Sequence, residues 1–306
     1  MFDLHIDLLS ILYYSYILND YSYVEKLQYY FKKNNIKGVV ANLYFEEESS
    51  MLKLINNRGI DVVNMFELSK ILFEQYFPNL EVIYSIEGCD YILSTSELEY
   101  LKNLGLDSIL LVWNNENKYG SGNRSNKGLT DEGIDFLQKA IELGLIIDLS
   151  HMNKFTFYDT VNLLNNNKNR NPKVIVSHSN SYEIHNHPRN LDDDQLYALK
   201  DFNPLMGLVI YNNFIGNENV NLKIEFLKHI KHIESILGID SISIATDDMS
   251  FENILFNYEL KPNLFSYEFI QEELVELLTM VYNKEQVEAI MYKNAEKFFV
   301  KERKKW

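Results

Sequence analysis

Residues 130–151 read TDEGIDFLQKAIELGLIIDLSH and combine a helix, a buried strand and a histidine in one short stretch. Apolar residues recur at helical spacing over Thr130–Leu143, with a capping threonine at the start and Gly144 just behind the end. The run Leu145–Leu149 follows at once, and its near-continuous apolar side chains are typical of a parallel strand buried on both faces. His151 comes two residues later. The stretch therefore predicts a helix–strand unit with a histidine at the carboxyl end of the strand.

The same alternation of strand and helix recurs along the whole chain. Eight short apolar runs predict strands: Phe2–Asp7, Gly38–Tyr44, Glu81–Ile86, Ser108–Trp113, Leu145–Leu149, Lys173–Ser177, Met206–Tyr211 and Ser241–Thr246. Eightfold alternation favours a (β/α)8 TIM barrel, an α/β fold, over an open doubly wound sheet. The sequence contains no Pro/Gly/Ser-rich linker and no repeat of fixed period, so we expect one domain over residues 1–306. We interpret Asn165–Asn171 as a loop and Lys301–Trp306 as a solvated tail after the last helix.

Composition and charge exclude several classes of function. The chain has 306 residues, with 44 acidic against 29 basic side chains and a formal net charge of −15, so it lacks the basic face that nucleic-acid binding requires. No apolar run approaches the roughly 18 residues that cross a bilayer, and the first residues lack the basic and apolar regions of a secretory signal. The single cysteine, Cys89, cannot form an intrachain disulfide, which fits a reducing compartment. We therefore expect a cytoplasmic protein that binds neither nucleic acid nor membrane.

Side chains that can bind metals stand at the carboxyl ends of the predicted strands, the rim where barrel enzymes build their active sites. They are His5, Asp7, Glu87, His151, His178 and Asp247. A single histidine at such a place is more often a structural residue, and a single acid is more often a helix cap. Six such groups at five strand ends favour a metal site instead.

The types and spacing of these residues predict two metal ions. In His5-Ile6-Asp7 the two polar side chains would lie on one side of a strand of period two and could share an ion. His151 and His178 would supply nitrogens to a second ion, and Glu87 could bridge the two, because neighbouring cations need a shared anion. Nitrogen and carboxylate ligands without thiolate favour two Zn²⁺ ions, with Mn²⁺ or Co²⁺ as alternatives. Two metals about 3.5–4 Å apart would activate water for hydrolysis.

A set of motifs extends over almost the whole chain. They are Asp3-Leu4-His5-Ile6-Asp7, Ser85-Ile86-Glu87-Gly88, Trp113-Asn114-Asn115-Glu116-Asn117, Gly128-Leu129-Thr130, Asp148-Leu149-Ser150-His151, Ser177-His178-Ser179-Asn180 and His187-Pro188-Arg189-Asn190-Leu191. Together they resemble the motifs of the membrane (renal) dipeptidases, zinc peptidases of the amidohydrolase superfamily, and especially those of their shorter bacterial relatives.

The resemblance implies a role for each residue of the predicted centre. His5 and Asp7 would bind the first zinc, His151 and His178 the second, and Glu87 would bridge them. Two further roles are implied. Arg189 would hold the C-terminal carboxylate of the substrate, although an ion pair with the acids of Asp192–Asp194 is the alternative. Asp247 would transfer the proton and face the free amino group.

The chain departs from the family's pattern in three places. Where the family has D-x-D-G after the eighth strand, this chain has Asp247-Asp248-Met249-Ser250, which leaves the shape of that loop and the substrate preference open. Trp113 stands where animal members carry a histidine thought to polarise the scissile carbonyl, and thus resembles the bacterial branch. Cys89 stands where a glycine is common, and we interpret it as a packing residue rather than a nucleophile.

The expected function is the hydrolysis of dipeptides, including ones with D-residues, by a hydroxide that bridges the two metals. Asp247 would be the catalytic acid and base, and Trp113 and Tyr211 would line the substrate pocket beside Arg189. One alternative is a hydrolase of another small amide, such as a cysteinyl-glycine-type conjugate. The other is a binding protein that retains the metals and has lost catalysis. The resemblance also admits a homodimer. We interpret the remaining histidines as loop or packing residues; they are His185, His187, His229 and His232.

Overall fold

Eight parallel strands form a closed barrel in the order of the chain. The computed structural model describes residues 1–44, 61–248, 250 and 263–303, and in it β1 pairs with β8 to close the sheet. The strands are β1 Phe2–Ile6, β2 Gly38–Tyr44, β3 Glu81–Glu87, β4 Ser108–Leu110, β5 Ile146–Asp148, β6 Val174–Val176, β7 Leu205–Val209 and β8 Ile242–Ala245. The prediction of a (β/α)8 barrel is confirmed, and the open sheet is excluded.

Helices surround the barrel between successive strands. The described α-helices are Leu8–Leu18, Ser22–Lys33, Val62–Tyr76, Thr95–Leu104, Asp131–Glu142, Lys154–Asn166, Asp193–Leu199, Asn212–Ile215, Leu222–Leu237, Ile270–Thr279, Lys284–Glu288 and Asn294–Arg303. The predicted cap is present, since Thr130 Oγ1 accepts a hydrogen bond from the backbone N–H of Gly133 at 3.0 Å. Within the described ranges, none of the helices combines the length and the apolar character needed to span a bilayer.

Two predictions about irregular segments are wrong in part. The stretch Asn165–Asn171 is not a simple loop, because its first two residues end the preceding helix and Lys168–Arg170 form a 3₁₀ turn. The Asn167 amide explains why, since it donates to Gln138 Oε1 at 2.8 Å and so fixes this end of the helix. At the other segment, the helix Asn294–Arg303 extends into the predicted tail, and residues 304–306 lie outside the described part of the chain.

The interior of the barrel forms an apolar core that is separate from the larger core between strands and helices. Seven of the eight strands and the last helix contribute to it, through Phe2, Leu4, Val40, Ile83, Ile146, Ile175, Leu205, Val209, Ala245, Ala295 and Phe299. The rings of Phe2 and Phe299 stack with their centroids 5.3 Å apart. Because Phe2 begins β1, the last helix closes the amino end of the barrel, and the carboxyl end is left for polar side chains.

An irregularity in β1 determines where His5 lies. Asp3 is opposite Val39 and Ile6 is opposite Ala41, so β1 contains one more residue than β2 in this interval. Leu4 packs in the interior core and Ile6 in the outer core, while His5 contacts groups at the mouth of the barrel. The strand ends at Ile6, and Asp7 occupies the N-cap position of the next helix without a capping hydrogen bond from its side chain. The prediction that His5 and Asp7 lie together is confirmed, but its reason, a strict strand period of two, is wrong.

Candidate metal centre

The five predicted metal ligands converge at the carboxyl end of the barrel. His5 lies in β1 and Glu87 ends β3, while His151 and His178 follow β5 and β6. These four side chains are buried, whereas Asp7 is 22% exposed and lies closer to solvent. Buried polar groups of this kind need partners or a bound ion.

Glu87 divides the ligands into two groups. Its Oε2 lies 3.1 Å from His5 Nε2, and its Oε1 lies 3.2 Å from His151 Nε2 and 4.0 Å from His178 Nε2. The ligand atoms of His5, Asp7 and Glu87 all lie within 4.8 Å of one another, and so do those of Glu87, His151 and His178. A carboxylate with one oxygen toward each group is the arrangement that a bridging ligand requires. The donor set of imidazole nitrogens and carboxylate oxygens therefore fits two zinc-like ions.

Asp247 lies at the edge of the same cluster. Its Oδ1 is 3.8 Å from His5 Nε2, and its side chain is 17% exposed, so it reaches both the ligands and the open mouth. Its backbone N–H donates to the carbonyl of His5 at 3.0 Å, which ties the end of β8 to β1. This position suits a group that exchanges protons with a substrate.

Two residues of the cluster have a left-handed backbone. His151 has a φ of 68° and Asp247 a φ of 46°, and the other non-glycine residues with positive φ in the described chain are all asparagines. Such a conformation costs roughly 1–3 kcal/mol at a residue other than Gly, although Asn, Asp and His adopt it more often than other types. The fold thus retains strain at two predicted functional positions, which is common where a side chain must be aimed precisely at a ligand.

The Nδ1 atoms of the three histidines contact polar side chains that sequence reasoning did not identify. Ser177 Oγ lies 2.8 Å from His178 Nδ1 and 3.3 Å from His5 Nδ1. Asn114 Oδ1 lies 2.9 Å from His151 Nδ1, and the Asn42 amide lies 3.0 Å from His5 Nδ1. Asn114 Oδ1 and Ser177 Oγ can accept the Nδ1 protons of His151 and His178, which leaves Nε2 of both to face the centre, whereas the Asn42 atom near His5 is the Nδ2 donor. The sequence did offer a sign of the role of Asn42, because it is the one amide side chain in the otherwise apolar strand Gly38–Tyr44.

Burial and charge perturb the pKa values of Glu87 and of the three histidines. Burial alone would lower the pKa of His5, but the carboxylates of Glu87, Asp247 and Asp7 offset this and raise it to about 10. Burial raises the pKa of Glu87, against the opposing effect of His5. Burial, together with the cationic His5 and Arg189, lowers the pKa values of His151 and His178 well below the usual value. Neutral imidazoles at these two positions are the form that binds a metal.

Arg189 lies beside the cluster and is buried. Its Nη2 donates to the carbonyl of His178 at 3.2 Å, and burial lowers the pKa of the guanidinium to about 10, so it stays charged at neutral pH. The alternative of an ion pair with the acids of Asp192–Asp194 is wrong. Asp192 pairs with Lys154, and Asp193 accepts from His232 at 2.6 Å.

The structure describes most of the other residues singled out in the sequence. The Trp113 ring stacks on His151 with centroids 5.7 Å apart, and burial and the charge of Asp247 raise the pKa of Tyr211. Cys89 is fully buried and burial raises its pKa, which agrees with a packing role. Of the altered motif after β8, Asp248 accepts from Tyr23 Oη at 2.8 Å, while Met249 lies outside the described residues.

The remaining histidines have local structural roles. His229 is buried, with Nδ1 accepting from the N–H of Ser181 at 3.0 Å and Nε2 donating to the carbonyl of Ile215 at 2.9 Å. His187 Nδ1 accepts from the N–H of Arg189 at 3.2 Å and thereby shapes the loop that carries the arginine. The interpretation of these histidines as loop and packing residues is confirmed for both.

The protein is a (β/α)8 barrel with a candidate metal centre at its carboxyl end. In this centre, histidines and acids surround one shared glutamate. Within this class the family is shown by sequence. The model of the membrane dipeptidase family (peptidase family M19) matches residues 52–304, and the chain belongs to this family.

Curated relatives match part of the chain. An uncharacterised protein in the pqqA 5′ region of Klebsiella pneumoniae is 30% identical over 176 residues, which cover 54% of this chain and 62% of that protein. An uncharacterised dipeptidase of Schizosaccharomyces pombe is 29% identical over 175 residues, which cover 55% of this chain and 41% of that protein. The chain thus spans between two fifths and just over three fifths of these relatives.

Solved structures share the fold over most of the chain. A metallopeptidase of Rhodobacter sphaeroides, liganded with a phosphinate mimic of the dipeptide L-Ala-D-Ala, superposes with a TM-score of 0.74 and 16% identity, covering 97% of each chain. The probable dipeptidase PvdM of Pseudomonas aeruginosa gives a TM-score of 0.67 with 12% identity, over 88% of this chain and 86% of that one. At these identities the comparisons establish the architecture alone.

Proposed function

We propose that this protein is a dinuclear zinc dipeptidase. The observation that carries the proposal is the position of Glu87, which directs one carboxylate oxygen to His5 and the other to His151 and His178. Membership of the membrane dipeptidase family supports it. Mn²⁺ or Co²⁺ could replace Zn²⁺ at ligands of this kind.

The residues of the chain would hold the metals in two sub-sites. His5 and Asp7 bind the first ion, His151 and His178 bind the second, and Glu87 is shared. When bound, two such ions polarise the scissile carbonyl and lower the pKa of the attacking water. The buried setting of the cluster strengthens these electrostatic effects by excluding bulk solvent.

Three groups of the chain would orient the dipeptide and move its protons. The Arg189 guanidinium binds the substrate's C-terminal carboxylate, because it is charged, buried and beside the metal ligands. Asp247 Oδ1 accepts the proton of the attacking water and returns it to the leaving amine. Trp113, which stacks on His151, and Tyr211, whose pKa responds to the charge of Asp247, would contact the substrate. Recognition of both termini would restrict the enzyme to dipeptides.

Dipeptides with a D-residue are included in the proposed substrate class. The Rhodobacter sphaeroides metallopeptidase of the same fold was captured with a mimic of L-Ala-D-Ala. We further propose that the chain works as a single domain in the cytoplasm, which the buried and unpaired Cys89 supports.

The first test is dipeptide hydrolysis by the purified protein, measured with L,L and L,D substrates after zinc loading and after chelation. Asp247→Asn should lower kcat by about 10²–10⁴-fold, the usual contribution of a general acid and base. Asp248→Asn is the matched control, because that carboxylate is held by Tyr23 and Ser250. It should stay within a few-fold of the wild type.

The outcomes separate the competing functions. Zinc-dependent turnover that is lost in Asp247→Asn alone supports the dipeptidase. Stoichiometric zinc binding without cleavage of any dipeptide would contradict it. A panel of other small amides would then distinguish a specialised amide hydrolase from a metal-retaining binding protein.

A further inference from the structure

A cavity of about 270 Å³ opens beside the candidate metal centre. Its lining includes one predicted metal ligand, His151, and the predicted carboxylate-binding residue, Arg189, together with Asn123, Lys154 and Gln195. Because it adjoins both the centre and the arginine, it is the space that the C-terminal residue of a bound dipeptide would enter. The charges around it therefore bear on which residue is accepted.

Arg189, which lines the cavity, and Arg124, which lies between two lining residues in the sequence, both lack a close carboxylate among the described residues. Three arginines have described side chains, and one of them, Arg170, pairs with Glu142 at 3.9 Å. In the part of the chain that the structure describes, no carboxylate lies within 4.0 Å of the guanidinium of Arg124 or Arg189. In a chain with a net charge of −15, acids are plentiful. One guanidinium that lines the cavity and a second one near it, neither with a carboxylate partner among the described residues, are groups that an anionic ligand could bind.

The loop after β4 holds Arg124 near the centre. The N–H of Arg124 donates to the carbonyl of Asn114 at 2.9 Å, and its guanidinium carbon lies 5.5 Å from the Trp113 ring centroid. The loop passes very close to its own start, because a Cβ at Gly122 would lie 1.8 Å from the Trp113 carbonyl oxygen. Trp113 in turn stacks on His151. Arg124 is exposed and is not itself a lining residue, but its neighbours Asn123 and Ser125 line the cavity, and its contact with the Trp113 ring holds it on the side of His151.

The other cation of the cavity is already neutralised. The Lys154 ammonium pairs with Asp192. Gln195 Oε1 accepts from the N–H of Asp192 at 3.2 Å, which leaves the Nε2 donor of the amide for a ligand. Among the described residues in and next to the cavity, the cations that remain available to a substrate are therefore Arg189 and Arg124.

We propose that the enzyme prefers dipeptides whose C-terminal residue is acidic. The main-chain carboxylate binds Arg189, and the side-chain carboxylate extends through the cavity toward Arg124. Arg124 is then a specificity-determining residue. This inference rests on the proposed dipeptidase function and names the substrate class that the same site selects.

The test compares isosteric substrates that differ in one charge. We would measure kcat/KM for Ala-Glu and Ala-Gln, with the second residue in the L and in the D form, at low and high salt. The wild type should favour the Glu peptide over the Gln peptide by about five- to tenfold in at least one of the two series. Arg124→Gln should reduce this ratio to about one, and high salt should weaken it in the wild type because the arginine is exposed.

Lys127→Gln is the matched control. It removes the same charge from the same loop, at an exposed lysine whose partner is Glu116. It should leave the Glu/Gln ratio unchanged. Equal kcat/KM values for the two peptides in the wild type, or a ratio that survives in Arg124→Gln, would overturn the inference while leaving the dipeptidase function intact. Failure to cleave these peptides and Ala-Ala alike would instead overturn the proposed function, and the preference with it.

Discussion

The hydroxyl of Ser177 is the perturbation that tests the candidate metal centre most sharply. It is buried and lies 2.8 Å from His178 Nδ1 and 3.3 Å from His5 Nδ1, so it contacts one ligand of each proposed zinc sub-site. The two histidines differ in their other neighbours. A flip of the Asn42 amide would give His5 Nδ1 a second acceptor, because its Nδ2 lies 3.0 Å from that atom and its buried Oδ1 has no hydrogen-bond partner among the described residues. Within the described residues, His178 Nδ1 has no hydrogen-bond partner besides Ser177. Ser177→Ala should therefore affect the two sub-sites unequally.

The size of the effect follows from that asymmetry. When zinc occupies Nε2, the proton resides on Nδ1, and a buried donor without an acceptor costs about 1–3 kcal/mol. Residues that support a metal ligand in this way commonly change metal affinity by about 10–100-fold, which is about 1.4–2.7 kcal/mol. We expect a loss of this size at the sub-site of His178, and a loss of less than about threefold at the sub-site of His5.

The assay is a competitive zinc titration against a chromophoric chelator, analysed for two stepwise constants. In Ser177→Ala the two stepwise zinc-binding constants should differ more than they do in the wild type. The matched control is Ser179→Ala, a serine on the other side of His178 whose buried Oγ has no hydrogen-bond partner in the described structure. Its two constants should equal those of the wild type. Equal loss at both sub-sites, no loss at either, or the same change in Ser179→Ala would refute the reasoning.

Two further predictions concern stability. Burial lowers the pKa of His229 to about 4 in the folded protein. As the pH falls from the usual histidine pKa toward 4, this histidine therefore gains a proton in the unfolded chain but not in the folded one. The free energy of unfolding should fall by up to about 3 kcal/mol over this pH range. Denaturant unfolding at pH 7 and pH 4.5 should show a smaller difference in the free energy of unfolding for His229→Asn than for the wild type. An equal difference in the two proteins would count against His229 as the cause. Phe299→Ala, which opens the interior core, should cost about 3–5 kcal/mol in the same measurement. Phe269→Ala, at a 44% exposed position, should cost less than about 1 kcal/mol, and equal losses would contradict the packing argument.

The sequence predicted the barrel and the convergence of ligands because both depend on patterns local to each strand. Apolar runs mark buried strands, and a residue that follows such a run is placed on the rim by the closure of the sheet. His151 and His178 could therefore be assigned to one site although they lie on separate strands.

The details that the sequence did not reveal depend on relations between strands. The extra residue in β1 appears only when Asp3 and Ile6 are aligned with β2, and it changes which side chains face the barrel axis. The role of Ser177 depends on a distance to His5, which is 172 positions away in sequence. The left-handed backbone of His151 and Asp247 likewise could not be read from the sequence, because Asp and His adopt it more often than most residues but only in a small fraction of cases.

The closure of the amino end of the barrel by the last helix has a consequence for biosynthesis. Phe2 and Leu4 from the first strand pack with Ala295 and Phe299 from the last helix, and the Asn294 amide donates to the carbonyls of Ile239 and Ile242 at 2.8 and 2.7 Å. A nascent chain still held in the ribosome before these late residues emerge would expose the apolar interior of its barrel. The sheet can begin to assemble during translation, but its core can be sealed only after almost the whole chain has left the exit tunnel. Until then this acidic protein would depend on its charge, or on chaperones, to avoid aggregation.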